Sequence, residues 1–179
     1  MIPIFKPYLY QESKDLAKQA IDSGDIAQGP NIELFEKEFS SYCDRKYGVT
    51  CNNGTIALYL AIKALNLPEN SEVILPSMTI VSCLTAIIEN NLKPIFCDID
   101  PITYNINFSS LESKITPNTS AVIIVNTYGL VVDTDKLTEF KQRTTEPYGS
   151  PPNLKTQELR MPISPSWNDS AQILSLIHI

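Results

Sequence analysis

Apolar residues recur along this chain with two different periods. Leu16, Ala17, Ala20 and Ile21 fall at helical spacing and run into Gly24, a natural C-terminal stop, which predicts an amphipathic helix over 11–23. A second helix follows Gly29-Pro30-Asn31. Its stripe is Ile32, Phe35, Phe39 and Tyr42, with Glu33, Glu36, Lys37 and Glu38 on the wetter sides. From residue 46 strand and helix take turns: a short run Tyr47–Cys51, a helix Thr55–Leu65, a strand Glu72–Leu75 and a helix Ile80–Glu89. The alternation continues with a strand Pro94–Ile99, a short helix near Leu111–Ile115, a strand Ala121–Val125 and a helix from Asp135 to Arg143. The run Ala121-Val-Ile-Ile-Val125 has no polar alternation, so both of its faces must be covered. The expected fold class is therefore α/β, a three-layer α/β/α sheet with helices on both sides.

Beyond about residue 143 the pattern stops. Five of the thirteen prolines fall in the last 36 residues, and 144–169 shows neither period. The expected organisation is one partial domain over 1–143 and an irregular tail over 144–179, non-authentic or disordered.

Composition adds exclusions. Apolar residues make up 43% and charged residues 19%, ordinary for a folded protein. Fourteen Lys and Arg against twenty Asp and Glu give a net charge of −6, with no basic run able to neutralise a string of phosphates. Nucleic acid is not an expected partner. No window reaches the ~20 apolar residues of a membrane span and no basic-then-apolar leader opens the chain, so no membrane is expected and the protein is read as cytoplasmic. Cys43, Cys51, Cys83 and Cys97 form no Cys-x-x-Cys pair, which predicts reduced, mostly buried thiols and no metal site.

Three segments could carry chemistry. Val49-Thr-Cys-Asn52-Asn53-Gly54-Thr55 reads as a strand turning into a helix, a geometry that aims unpaired amides at one spot and suits a phosphate. The plain alternative is a turn with Gly54 at positive φ and Asn or Thr capping the helix. Leu75-Pro-Ser-Met-Thr79-Ile80-Val-Ser82 runs from a strand end into a helix at the carboxyl edge, where open α/β sheets bind ligands. Ser77, Thr79 and Ser82 are candidates there, against capping by Ser77 or Thr79. Val125-Asn126-Thr127-Tyr128-Gly129 ends a strand in polar groups and fits either a site-facing edge or an ordinary turn. Asp98 and Asp100, two carboxylates at i and i+2, lack a third ligand and precede Pro101, so a turn is expected rather than a metal. Residues 1–143 contain no His, which excludes a Ser-His or Cys-His mechanism within them. Gly-x-Gly-x-x-Gly is absent.

Six blocks stand in a specific order: Ile2-Pro-Ile-Phe-Lys-Pro7, Gly29-Pro-Asn-Ile-Glu-Leu-Phe-Glu36, Tyr47-Gly-Val-Thr-Cys-Asn-Asn-Gly-Thr55, Glu72-Val-Ile-Leu-Pro-Ser-Met-Thr79, Pro94-Ile-Phe-Cys-Asp-Ile-Asp-Pro101 and Tyr128-Gly129. Together, over roughly 2–140, they resemble the DegT/DnrJ/StrS family of sugar aminotransferases, the perosamine synthases among them. The resemblance implies the N-terminal part of the large domain of a fold-type I pyridoxal 5'-phosphate (PLP) enzyme. It also implies transamination of a nucleotide-linked keto sugar with glutamate as donor, and a homodimer. Asn53, Gly54, Thr55, Ile80 and Ser82 are the implied cofactor contacts, Gly54 and Thr55 holding the phosphate; Asn126 and Tyr128 are the implied substrate contacts. Ile80 replaces a frequent aromatic, and Asn126 stands where a His is common. The family's Asp-Ala-Ala-type motif and its later Schiff-base lysine find no counterpart. Asp169-Ser-Ala-Gln172 and Lys155 lack the required surroundings. The expectation is a truncated chain with no catalytic residue of its own and no activity. The rivals are a lysine-free relative and an α/β phosphate- or nucleotide-binding module.

Overall fold

The computed structural model describes residues 8–24, 26–145, 158–161 and 174–178. They belong to two compact units, Met1–Asn52 and Asn53–Ile179.

In the first unit, α1 (Gln11–Ser23) ends at Gly24, whose φ of 81° lets its N–H close back on Ile21 O. Helix α2 (Pro30–Tyr42) starts with proline at its first position, where the missing N–H costs nothing. Phe39 stacks between Phe35 and Tyr42, with centroids 5.3 and 6.4 Å away. The amphipathic patterns therefore give the expected helices. Burial does not follow: α1 buries nothing, and Leu16, Ile21, Leu34 and Phe35 are all more than half exposed. The stretch 47–51, expected as a strand, pairs with no strand among the described residues. Within it Thr50 is anchored by Glu36, whose Oε1 accepts the Thr50 N–H at 2.7 Å and the Thr50 hydroxyl at 2.8 Å. These two donors hold the Glu36 carboxyl below its ordinary range. Gly48 lies so close to α2 that a Cβ there would sit 2.8 Å from Glu36 O. A side-chain carboxylate thus does for this segment what a sheet partner does elsewhere.

The second unit carries α3 (Gly54–Ala64), β1 (Glu72–Pro76), α4 (Val81–Ile88), β2 (Lys93–Cys97), α5 (Phe108–Lys114), β3 (Thr119–Val125), a 3-10 turn at Thr127–Gly129, α6 (Thr134–Thr145), β4 (Glu158–Met161) and β5 (Leu174–His178). The sheet order is β2-β1-β3-β5-β4. Strands β2, β1 and β3 are parallel, with Ile74 opposite Ile95 and Val122, while β5 runs antiparallel to β3 and β4. Four-residue β4 lies where no strand pattern was read, because a segment so short takes its structure from pairing and not from a period. Lys155 and 169–172 lie outside the described residues.

Strand periodicity divides the core in two. Val73, Leu75, Ala121, Ile123 and Val125 face α3 and α4, meeting Leu58, Ile62, Cys83, Ala86 and Ile87. Ile74, Val122 and Ile124 face the opposite way, onto Leu111 of α5 and Leu137 and Phe140 of α6. Residues 121–125 of β3 are all buried, as are all five of β1, so the absence of polar alternation in Ala121–Val125 has the expected cause. Helix α5 begins three residues before the expected start because Asn107 caps it, accepting the Ser110 N–H at 2.9 Å. Cys83 and Cys97 are buried, and burial pushes both thiols up. Cys43 is only partly buried and Cys51 is exposed, so the expectation of mostly buried thiols holds for the two on sheet-facing elements and not for those of the first unit. Among the described residues, no helix is long and apolar enough to cross a membrane and no cluster of three metal-ligating side chains occurs.

Ile74→Ala removes a side chain enclosed on all sides and should cost ~2–5 kcal/mol in a urea unfolding experiment. Ile88→Ala, at a position 52% exposed, should cost less than ~1 kcal/mol. Equal costs would contradict this division of the core.

Candidate functional site

Both β1 and β3 deliver their following loops to one edge of the sheet, since they run in parallel. At that edge the chain makes the turn into α3. Asn53 is its N-cap, with extended backbone, and its side chain accepts the Ile56 N–H at 3.0 Å while its C=O accepts from Ala57. The amides of Gly54 and Thr55 precede these bonds and find no acceptor among the described residues. The capping alternative is therefore right about Asn53 and wrong about the glycine: Gly54 is the first helical residue and does not have positive φ. A Cβ built on it would meet nothing within 4 Å among the described residues. Neither backbone conformation nor a neighbour among the described residues explains glycine here.

Helix α4 begins beside α3. The Thr55 and Ser82 hydroxyls are 2.8 Å apart, and further along the Asn90 side-chain amide donates to Tyr59 O at 3.1 Å. The two helices therefore run in the same sense with their N-termini adjacent. Neither helix has an acidic residue in its first turn, whereas α1, α2 and α6 each do. Two helix dipoles thus place their positive ends at one spot with no carboxylate in either first turn to offset them. Ile80 is the N-cap of α4 and lends no side-chain cap; it is 47% exposed. The expectation that Ser77 or Thr79 caps this helix is corrected: the Thr79 hydroxyl donates to Cys83 Sγ at 3.2 Å, and the Ser77 N–H goes to Cys97 O at 2.8 Å.

The turn after β3 is built differently. Asn126 is buried and its Oδ1 accepts the Val132 N–H at 2.9 Å. Tyr128 is 64% exposed in left-handed backbone with φ of 54°, followed by Gly129 at 81°. Its ring meets that of Tyr104 edge-on, with centroids 6.4 Å apart. Asn105, which sequence reasoning passed over, links the two turns: its Oδ1 accepts the Thr127 N–H at 3.0 Å and its Nδ2 donates to Leu130 O at 2.9 Å. The available signal was the alternation Asn105-Ile106-Asn107, with both amides flanking a buried isoleucine. Asp100 behaves as a turn residue, as expected: its Oδ1 takes the Ile102 and Thr103 N–H groups. The Thr103 amide first, then that of Ile102, hold its carboxyl below the usual range. Asp98 shares the Ser110 hydroxyl at 3.2 Å.

A groove of about 590 Å³ lies between α5 and α6. Four of its charged groups form two ion pairs, Arg143 with Glu112 at 2.6 Å and Lys136 with Asp133 at 3.6 Å. Asn105 and Leu130 form part of its wall, and none of Asn53, Gly54, Thr55, Ile80, Ser82, Asn126 or Tyr128 does. The space that suits an anion is the open helix-start pair, not this groove. A phosphate fits that pair on three counts: unused amides, a glycine that leaves room, and two hydroxyls already in register.

The pattern of the DegT/DnrJ/EryC1/StrS aminotransferase family matches residues 7–145. Among curated proteins, the chain is 36% identical over 143 residues to the GDP-perosamine synthase of Caulobacter vibrioides, covering 79% of this chain and 38% of that protein. Among solved structures, it is similar to AtS13 from Actinomadura melliaura, with a TM-score of 0.76 and 31% identity over 83% of this chain and 40% of that one. It is also similar to the E. coli GDP-4-keto-6-deoxy-D-mannose-3-dehydratase with bound hydrated PLP, with a TM-score of 0.73 and 25% identity over 78% of this chain and 38% of that one. The chain spans about 38% of the length of the curated relative. The three-layer sheet is thus the N-terminal part of the α/β fold of these PLP-dependent proteins, and the chain belongs to the DegT/DnrJ/EryC1/StrS aminotransferase family.

Proposed function

We propose that this chain forms the phosphate cradle of a PLP-dependent aminotransferase whose whole protein acts on a keto sugar carried by a nucleotide, with glutamate as amino donor. The observation that carries the reading is Gly54: an αR glycine at a helix start, with open space where its side chain would be and an unused amide beside another. A phosphate seated there explains the glycine, because its oxygens would occupy the room a Cβ needs. When bound, PLP supplies the electron sink on which an amino group is moved.

The chain's own residues then divide the work. The Gly54 and Thr55 N–H groups bind the phosphate, and Asn53 keeps them free by capping with its side chain instead. The Thr55 hydroxyl, bonded to Ser82, ties the α4 start to the same anion. Ile80, half exposed at the head of α4, offers an aliphatic face to the cofactor ring in place of an aromatic one. Tyr128 presents its phenol to the substrate, and Asn126 holds its loop from within. The whole protein is proposed to be a cytoplasmic homodimer without nucleic-acid or membrane partners.

The 179-residue chain is proposed to lack turnover, because the family's pyridine-binding Asp block and lysine block find no counterpart in it. Incubated with PLP and glutamate it should release no 2-oxoglutarate; a measurable half-reaction would contradict this.

Pyridoxamine 5'-phosphate, which has no aldehyde to react with surface lysines, is the ligand for a calorimetric test. It should bind the chain, pyridoxamine without its phosphate should bind at least tenfold more weakly, and GDP should not displace it. Gly54→Ala should leave unfolding stability unchanged or up to ~1 kcal/mol higher, since alanine favours a helix, and should still weaken binding by tenfold or more. Displacement by GDP, with equal binding by the Gly54→Ala variant, would favour a nucleotide-binding module.

A further inference from the structure

Tyr128 occupies a costly conformation. A bulky residue other than glycine in left-handed backbone is uncommon and strained, so the surroundings must impose it. The residues on either side of Tyr128 are both fixed by a single side chain. Asn105 accepts from the N–H of Thr127, immediately before the tyrosine, and donates to the C=O of Leu130, two residues after it. Asn105 is 5% exposed, and its other neighbours reinforce the span: the Thr127 hydroxyl donates to Tyr104 O at 3.1 Å. The Asn105 loop is itself rigid. Asp100 N–H donates to Asn105 O at 2.8 Å, Tyr104 N–H to Asp100 O at 2.8 Å, and Asp100 Oδ1 closes the turn on Ile102 and Thr103. Tyr104, also at positive φ, sets its ring edge-on against that of Tyr128.

We infer that Asn105 is a positioning residue: by gripping the Thr127 N–H and the Leu130 C=O together, it holds the Tyr128 phenol in the one orientation presented at the carboxyl edge of the sheet. This rests on the reading of Tyr128 as a substrate contact. The amide side chain is required because one end must accept and the other must donate, which neither a carboxylate nor an ammonium can do. A protonated carboxylic acid can, and that supplies the test.

Solution NMR of the full 179-residue chain reads the backbone conformation of Tyr128 that sets this orientation. Positive φ brings the Hα and H–N of one residue close, so wild-type Tyr128 should show a strong intraresidue contact between them. Asn105→Ala should lose the strong contact, while the Gly54 and Thr55 amides titrate with pyridoxamine 5'-phosphate within twofold of the wild-type affinity. Asn105→Asp is the control for a merely structural role. Its carboxyl, buried and facing the Leu130 carbonyl, should titrate above the ordinary ~3.9 of aspartate. Ionised at pH 7.5 it cannot donate, and the Tyr128 contact should be lost. Protonated as the pH falls to 5 it mimics the amide, and the contact should return, with no such change in wild type or in Asn105→Ala. The charged groups that line the same groove as Asn105 are Asp100, Glu112, Asp133, Lys136, Glu139 and Arg143, and of these Asp100 and Asp133 are held below their ordinary range by backbone N–H groups and stay ionised throughout this window. An unchanged Tyr128 contact in folded Asn105→Ala overturns the inference, as does an Asn105→Asp variant indifferent to pH, or an equal loss of response at Gly54 and Thr55. Failure of the phosphate-site reading looks different: Gly54 and Thr55 would then not respond in wild type, while the Tyr128 contact would still depend on residue 105.

Discussion

The two-sided burial of β1 and β3 is the constraint on which the rest of the second unit depends. Every residue of β1 is buried, and β3 is buried from Ala121 to Val125. Such strands cannot form a sheet with one face in water, so helices must pack on both sides, α3 and α4 on one and α5 and α6 on the other. Burial of roughly 25 cal/mol per Å² of apolar surface fixes these layers more strongly than any hydrogen bond at the surface. Because parallel strands need helical crossovers, α4 must begin where β1 ends, and the site follows from that connectivity and not from any single motif.

The chemistry at the edge then reflects what the core leaves free. Two helix starts brought side by side have amides that find no acceptor among the described residues. Asn53 takes one of these positions with its side chain and leaves the two preceding amides open. The Thr55–Ser82 bond locks the starts together, so the positive ends of the helices are fixed side by side. The opposite lip, after β3, is held by amides of another kind: Asn126 and Asn105 are spent internally, and the exposed group they leave at the edge is a tyrosine.

How much of this is legible in the sequence varies with the physical origin of each feature. The run of apolar residues in Ala121–Val125 names a doubly covered strand, and the structure has it, because burial writes itself into composition. Helix ends at Gly24 and Pro30 are legible for a related reason: local backbone chemistry fixes them. The segment 47–51 reads as a strand and is not one, because the partner of Thr50 is the Glu36 carboxylate, fourteen residues away and invisible to periodicity. The capping of α4 is misleading in the sequence because Thr79 spends its hydroxyl on Cys83. Gly54 stands out in the sequence for the wrong physical reason, positive φ, whereas its backbone is helical and its distinction is empty space. Asn105 signals only through its alternation with Asn107 around a buried isoleucine, since its two partners lie 22 and 25 residues along the chain.

The central claim is that the paired starts of α3 and α4 hold a phosphate. A crystal structure of the chain with pyridoxamine 5'-phosphate tests it most directly. The account predicts phosphate oxygens within about 2.7–3.2 Å of the Gly54 and Thr55 amides, at ordinary hydrogen-bond distance. A phosphate bound instead in the groove between α5 and α6, against Lys136 or Arg143, would contradict it.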